Sequence, residues 1–547
     1  MLPCIICASE PAALDITPDI KRLKSRFVDV LNTSARPRHP WMTIRRGGYI
    51  AVDLQKFAPI SRQPDRTSPI MDLSMHMTHG TLAMEYSDEH SSWNIIPTKF
   101  FKQNLTDFAS YSAHYGKWKV VINAIKLFSR IAHNDLHAIN ALAFLVKNGV
   151  FLPSREDRIS AARLFHYVAE LGNDPCAQYN YGLCLEAGNG VEQDREEAAK
   201  YYERSAEQGC ALAQFRYGVC LRIGVGLSQP DLVGAAQYDK SSAEQGNPLA
   251  QCDYGRCLDE GTGVAQDVKE AVRYYKLSAD QGYDIAQFNY GECLIQGFGI
   301  EQNEVEAVKY LELSAAKGNA KAQFRYGECL ELGRGVAQNI AKAVEYYKLS
   351  AAKGNANGQC RYGVCLEFGR GVAQNIAKAV KYYKLSADQG NANGQCRYGE
   401  CLYEGIGVEQ NIAKAAEYFR RSADQGDADA QFRYGVCLYE GVGVKQDAKK
   451  AAEYFKLSAD QGDAYAQFRY GVCLYEGIGG ARNEEKAAEY LKLSADQGNA
   501  DAQCSYGFCL ENGLGVAKDK AKAREYYERS AAQGNDGAQS RLTYLDK

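Results

Sequence analysis

Between residues 319 and 354 the apolar positions fall into two stripes of helical period. Ala322, Tyr326, Cys329 and Leu330 are spaced i, i+4, i+7, i+8, which places them on one side of an α-helix. Ala343, Tyr346, Tyr347, Ser350 and Ala351 form a second stripe. Between them, Gly333-Arg334-Gly335 interrupts the pattern with residues suited to a helix C-cap and turn. Asn339 stands where the second helix needs an N-cap acceptor, and Gly354 closes that helix. The pattern predicts a helical hairpin. Gly327 lies inside the first helix, at a cost of about 1 kcal/mol relative to Ala. Its presence predicts that another helix approaches too closely there for a side chain.

The pattern recurs. A Tyr-Gly pair begins at Tyr181, Tyr217, Tyr254, Tyr290, Tyr326, Tyr362, Tyr398, Tyr434, Tyr470 and Tyr506, in steps of 36 residues with one of 37. The N-cap column is Asp194, Asp231, Asp267, Asn303, Asn339, Asn375, Asn411, Asp447, Asn483 and Asp519. A period of this size marks a stacked array, because one hairpin cannot bury both of its faces alone. Repetition also disposes of chemistry that a single copy suggests. "QCRYGVCLEFGRGVAQN" (359–375) holds two cysteines and a Gly-x-Gly turn. A phosphate cradle follows a strand and uses a helix N-terminus, whereas this turn joins two helices in ten copies.

Composition divides the chain. All three tryptophans, all six methionines and all eight histidines lie at or before His166, and no proline follows Pro248. Residues 1–103, with Pro-rich and basic stretches such as "NTSARPRHPWMTIRRGG", read as a poorly defined, partly disordered region. Residues 104–137 read as a helical lead-in, and 138–547 as the array: a degenerate first repeat at 138–172, ten full repeats over 174–534 and a truncated last repeat at 535–547. Charge is nearly balanced, 64 basic against 67 acidic residues. No bulk attraction to nucleic acid or anionic membrane follows, and no apolar run reaches the ~18 residues of a membrane span. The opening "MLPCIICASEPAALD" does not read as a signal peptide.

Ten of the eighteen cysteines occupy one repeat column, from Cys184 to Cys509. Four repeats add a cysteine five residues earlier, as Cys360 with Cys365. That spacing turns the two side chains about 140° apart on a helix, so neither an intrahelical disulfide nor a shared metal is expected. The column reads as small buried hydrophobes and leans towards a reducing, cytoplasmic setting. Cys4 and Cys7 have zinc-like spacing but no second pair nearby, so no metal site and no cofactor are expected.

The repeat pattern, carried by Ala322-Gln323, Tyr326-Gly327, Leu330, Gly333, Gly335, Val336, Ala343, Tyr346, Ala351 and Gly354, resembles the Sel-1-like repeat of the tetratricopeptide-related class. The resemblance implies an all-α fold, a right-handed α-solenoid of about eleven 36-residue helix-turn-helix repeats behind an irregular amino-terminal region. It also implies a non-catalytic scaffold or adaptor that binds other proteins through a concave face lined by the first helices. A cysteine-rich secreted branch staples neighbouring helices with disulfides; the corresponding positions here are Ala387 and Gln395, a departure that argues against stapling.

Two columns are candidates for partner binding. Arg325, Arg361, Arg397, Arg433 and Arg469 precede the Tyr-Gly pairs of five consecutive repeats and suit acidic segments of other proteins through paired N–H donors. The competing reading pairs each with a neighbouring acid such as Glu328 or Glu400. Tyr403, Tyr439 and Tyr475 form a second column of aromatics expected to be exposed, residues common at interface anchors and equally able to pack between repeats. One stretch points elsewhere. "HNDLHAIN" (133–140) matches the H-x-D-L-x-x-x-N of a kinase catalytic loop. No Asp-Phe-Gly follows and no Gly-rich loop precedes it, so a regulatory repeat arm of a degenerate or truncated protein kinase is the alternative to the non-enzymatic scaffold.

Overall fold

The computed structural model describes residues 16–23, 42–45, 49–52, 75–77, 80–87, 92–98, 136, 139–140, 143, 155–226 and 229–545. Cys4, Cys7, nearly all of the 104–137 lead-in, and His133 and Asp135 of the kinase-like stretch lie outside them. The chain divides into two compact units, Met1–Gln281 and Gly282–Lys547.

In the first unit, β1 (Met42–Arg45) pairs antiparallel with β2 (Tyr49–Val52). A separate sheet sets β4 (Gly80–Ser87) between β3 (Met75–Met77) and β5 (Ser92–Thr98), with Tyr86 opposite Trp93. Met42–Arg45 alternates in period two, as do Leu82, Met84 and Tyr86 with Thr81, Ala83, Glu85 and Ser87, but each run occurs once in a span that otherwise reads as irregular. Residues 17–23 are helical and dock on the helix Arg155–Leu171. Ile16 and Leu23 are buried there in one cluster with Ile139, Leu164 and Phe165. The Ser160 hydroxyl donates to Asp19 at 2.9 Å, and Arg22 Nε reaches Asp157 at 3.4 Å. This segment covers the second helix of the degenerate first repeat, and it comes from a span whose composition suggests little order.

Three hairpins follow in the first unit and seven in the second, from Asp284–Gln296 with Glu304–Ala316 to Ala500–Asn512 with Lys520–Ala531; Asp536–Leu545 comes last. The predicted stripes face inwards: Ala322, Tyr326, Cys329 and Leu330 are buried, as are Ala343, Tyr347, Ser350 and Ala351, with Tyr346 half-buried. Each second helix begins on its Asp or Asn cap; the Asn339 side chain accepts from the Lys342 amide at 2.9 Å. Gly333 ends the first helix in the left-handed region at φ 71°. Gly335 answers to a contact as well: a Cβ there would meet the Glu304 carbonyl oxygen, in the preceding hairpin, at 2.2 Å. The predicted close approach at Gly327 is to the Tyr347 ring, 2.7 Å from where a Cβ would stand.

Buried polar residues of the motif join the helices. Ser350 donates to the Ala320 carbonyl at 2.7 Å, so its buried hydroxyl finds an acceptor at the start of the first helix. Gln389 donates to Gln359 at 2.7 Å within one hairpin. Gln395 Nε2 lies 3.5 Å from the Ala387 carbonyl of the preceding hairpin, so the two positions that depart from the stapled branch are bridged by a hydrogen bond. None of the sixteen cysteines among the described residues is in a disulfide, and fourteen of them are buried. Burial pushes Cys329, Cys365 and Cys509 up to about 11.

Candidate functional site: a row of arginines on successive first helices

All eight candidate residues lie in the second unit, on first helices. Successive first helices touch there: Ala320–Leu332 meets Ala356–Phe368, which meets Ala392–Glu404. The five arginines hold the same position in their first helices and are half-buried.

Four of the five already hold acids of this chain. Arg325 donates to Glu292 in the preceding repeat and to Glu328 in its own, both at 2.7 Å. Arg361 donates to Glu331 of the preceding repeat at 2.7 Å. Arg397 donates to Glu400 at 3.1 Å, and Arg433 lies 2.6 Å from the other oxygen of the same carboxylate. Burial opposes the Arg361 charge, but the Glu331 carboxylate more than offsets it and the guanidinium titrates above its ordinary range. Burial lifts the Glu400 carboxyl above the usual carboxylate range even between its two arginines. Arg469 has no ion pair among the described residues. The same brace appears outside the row, Arg216 with Glu186 and Arg541 with Glu511, each at 3.7 Å.

The tyrosine column differs from the exposed aromatics expected. Tyr403, Tyr439 and Tyr475 are half-buried. Tyr403 and Tyr439 lie over Phe419 and Phe455, each pair with centroids 6.3 Å apart. Arg482 sits 4.6 Å from the Tyr475 ring centre.

The reason emerges from the residue each column member faces. Where the buried second-helix residue is a tyrosine, its hydroxyl meets an acid from the first helix of the same hairpin. Tyr202 donates to Glu186 and Tyr347 to Glu331 at 2.6 Å, Tyr383 to Glu367 at 2.6 Å and Tyr527 to Glu511 at 2.8 Å; Tyr275 reaches Asp259 at 3.4 Å. Where that residue is Phe419, Phe455, Leu491 or Leu311, the acid is replaced by Tyr403, Tyr439, Tyr475 or Ile295. In the remaining repeat the polarity is exchanged: Asp239 is buried and Arg222 bonds to it. Each hairpin that buries a hydroxyl or carboxylate at this position thus supplies a partner for it from its own first helix, although Asp239 Oδ1 is left without one among the described residues. The signal was present as a correlated pair of columns, and a column read alone does not show it.

A model of the Sel1 repeat matches ten consecutive segments, from 177–210 to 500–535. The chain belongs to the Sel1 repeat family. Among solved structures, the Sel1 array is similar to c5321, a protective antigen of uropathogenic Escherichia coli with an SLR fold: 30% identity, 77% of this chain and 90% of that one covered, TM-score 0.62. A Sel1 repeat protein from Oxalobacter formigenes is 28% identical over 56% of this chain and 89% of that one, with a TM-score of 0.39. No curated protein matches the chain. The repeats are an all-α fold of the solenoid class, and Sel1 repeat solenoids are generally scaffolds for protein–protein interaction. No described helix is long and apolar enough to cross a membrane. Among the described residues no group of three or more His, Cys, Asp or Glu is placed to hold a metal ion.

Proposed function

We propose that this Sel1 array is a non-catalytic scaffold that holds other proteins along the face of its first helices, acidic segments above all. The observation that supports this reading is the alignment of Arg325, Arg361, Arg397, Arg433 and Arg469 on first helices of five consecutive repeats. Half-buried guanidiniums positioned by neighbouring carboxylates are pre-oriented donors, and an incoming carboxylate meets little ordering cost. The column Tyr403, Tyr439 and Tyr475 runs beside them and supplies aromatic surface of the kind that anchors interfaces.

The test uses the full chain. Partners cross-linked to it are identified by mass spectrometry, purified, and titrated against wild type and the triple variant R361A/R397A/R433A. Binding that weakens and loses salt dependence, because screened charge attraction has been removed, supports the reading. Unchanged affinity per folded molecule overturns the assignment of the row. Failure to capture any saturable protein partner overturns the scaffold.

A further inference from the structure

The four paired arginines draw their acids from three positions only: 33 residues back (Glu292 for Arg325, Glu400 for Arg433), 30 back (Glu331 for Arg361) and three ahead (Glu328 for Arg325, Glu400 for Arg397). For Arg469 those three positions are Val436, Tyr439 and Val472. Each source of an internal carboxylate is therefore replaced by an apolar or aromatic side chain. Tyr439 is there because Phe455 needs no acid, and in answering to Phe455 it leaves Arg469 without one. One helical turn before Arg469, Tyr465 is 64% exposed, the most exposed aromatic of the repeat hairpins, with its ring 6.1 Å from Phe432. No other repeat has an aromatic at that position.

We infer that Arg469, with Tyr465 beside it and Val436, Tyr439 and Val472 around it, is a subsite for a peptide carboxylate. The partner's acid takes the place that a glutamate of this chain fills in the neighbouring repeats, and an apolar or aromatic residue next to that acid lies on Tyr465. Apolar neighbours strengthen the pair by lowering the local dielectric. The unspent donors make Arg469 the point of the row where a partner's acid displaces nothing. This inference rests on the reading of the array as a protein-binding scaffold and locates its anchor.

The experiment titrates the full chain with fluorescein-labelled peptides of alternating glutamate and tyrosine, one with a free and one with an amidated C-terminus, and a lysine-tyrosine peptide as control. The decisive variant is Val436→Glu. It supplies the internal acid in the position that Glu292 and Glu400 occupy, leaves Arg469 in place and adds one charge at a half-exposed site. Arg469→Gln and Arg420→Gln are measured beside it, with circular dichroism to confirm folding. The inference expects the acidic peptides to bind. It expects V436E and R469Q each to weaken them about tenfold or more, the loss of one charge-assisted contact. R420Q, on a second helix away from the row and paired with Asp424, should leave them unchanged within about twofold. Binding by both acidic forms assigns a side-chain carboxylate, and binding by the free acid alone a terminal one; either supports the subsite. Acidic peptides that bind no better than the lysine control, or that are indifferent to both V436E and R469Q, overturn it. A captured protein partner whose affinity ignores both substitutions also overturns the subsite while leaving the scaffold reading intact.

Discussion

The pairing of Glu331 with Tyr347 predicts that two substitutions, each damaging alone, restore one another. Tyr347 is fully buried, and its hydroxyl donates to Glu331 at 2.6 Å; the same carboxylate oxygen takes Arg361 at 2.7 Å. Glu331→Tyr takes the carboxylate acceptor away from the buried hydroxyl, which costs about 1–3 kcal/mol. Loss of the partly exposed Arg361 pair adds at most about 1 kcal/mol after solvent screening, so a loss of about 2–3 kcal/mol is expected. Tyr347→Phe removes the hydroxyl and leaves Glu331 with Arg361 and some access to water, for a loss of about 1 kcal/mol. The double variant E331Y/Y347F copies the pairing this chain uses at Tyr403 and Phe419 and is expected within about 1 kcal/mol of wild type, a coupling of about 2 kcal/mol. Stacked repeats need not unfold in one step. Native-state hydrogen exchange at the amides of Ile340–Ala352 is therefore the assay, with denaturant melting beside it. A double variant as unstable as the sum of the singles E331Y and Y347F refutes the reasoning, as does an E331Y protein within about 0.5 kcal/mol of wild type.

Gly327→Ala should destabilise its hairpin despite a gain of about 1 kcal/mol in helix propensity, because the added methyl meets the Tyr347 ring at 2.7 Å; Gly480→Ala, with nothing within 4 Å, is the neutral control in the same melts. Asp239 is pushed up to about 7 by burial, against the pull of Arg222. A carboxyl with a raised folded pKa binds more protons folded than unfolded, so stability around Leu232–Glu244 should fall as pH rises from about 4 to 7 and level off above. Asp239→Asn should flatten that dependence in pH-resolved exchange, and a slope that survives the substitution rules the group out. Thiol titration should find the buried array cysteines unreactive in the native protein and free after denaturation, with no mass shift on reduction; the raised thiol pKa values of Cys329, Cys365 and Cys509, about 11, work in the same direction.

The hairpins, their caps and their buried faces were legible in the chain because each depends on residues close in sequence. Asn339 caps the helix it begins, Gly333 ends the helix it follows, and Ala322, Tyr326, Cys329 and Leu330 share a face by helical phase alone. The cost of Gly327 in every copy announced a close neighbour without naming Tyr347. The strands β1 to β5 and the docked residues 17–23 were not legible. Their pattern is short and occurs once, and nothing in it repeats to average out the noise.

The columns show where the sequence by itself stops. It determined that five arginines and three tyrosines recur at fixed phase on first helices. Phase along one helix, however, does not say what another helix brings opposite. That depends on how helices 16, 30 or 33 residues apart cross, and only the tertiary structure decided it. The packing put Glu331 under both Tyr347 and Arg361, set Tyr403 over Phe419 rather than in solvent, and let Arg397 and Arg433 share Glu400. Arg469 forms no ion pair among the described residues, and the positions that supply an acid to its neighbours are Val436, Tyr439 and Val472 here. Helical period is a local property of the backbone, and a side-chain pair between helices is a property of their packing.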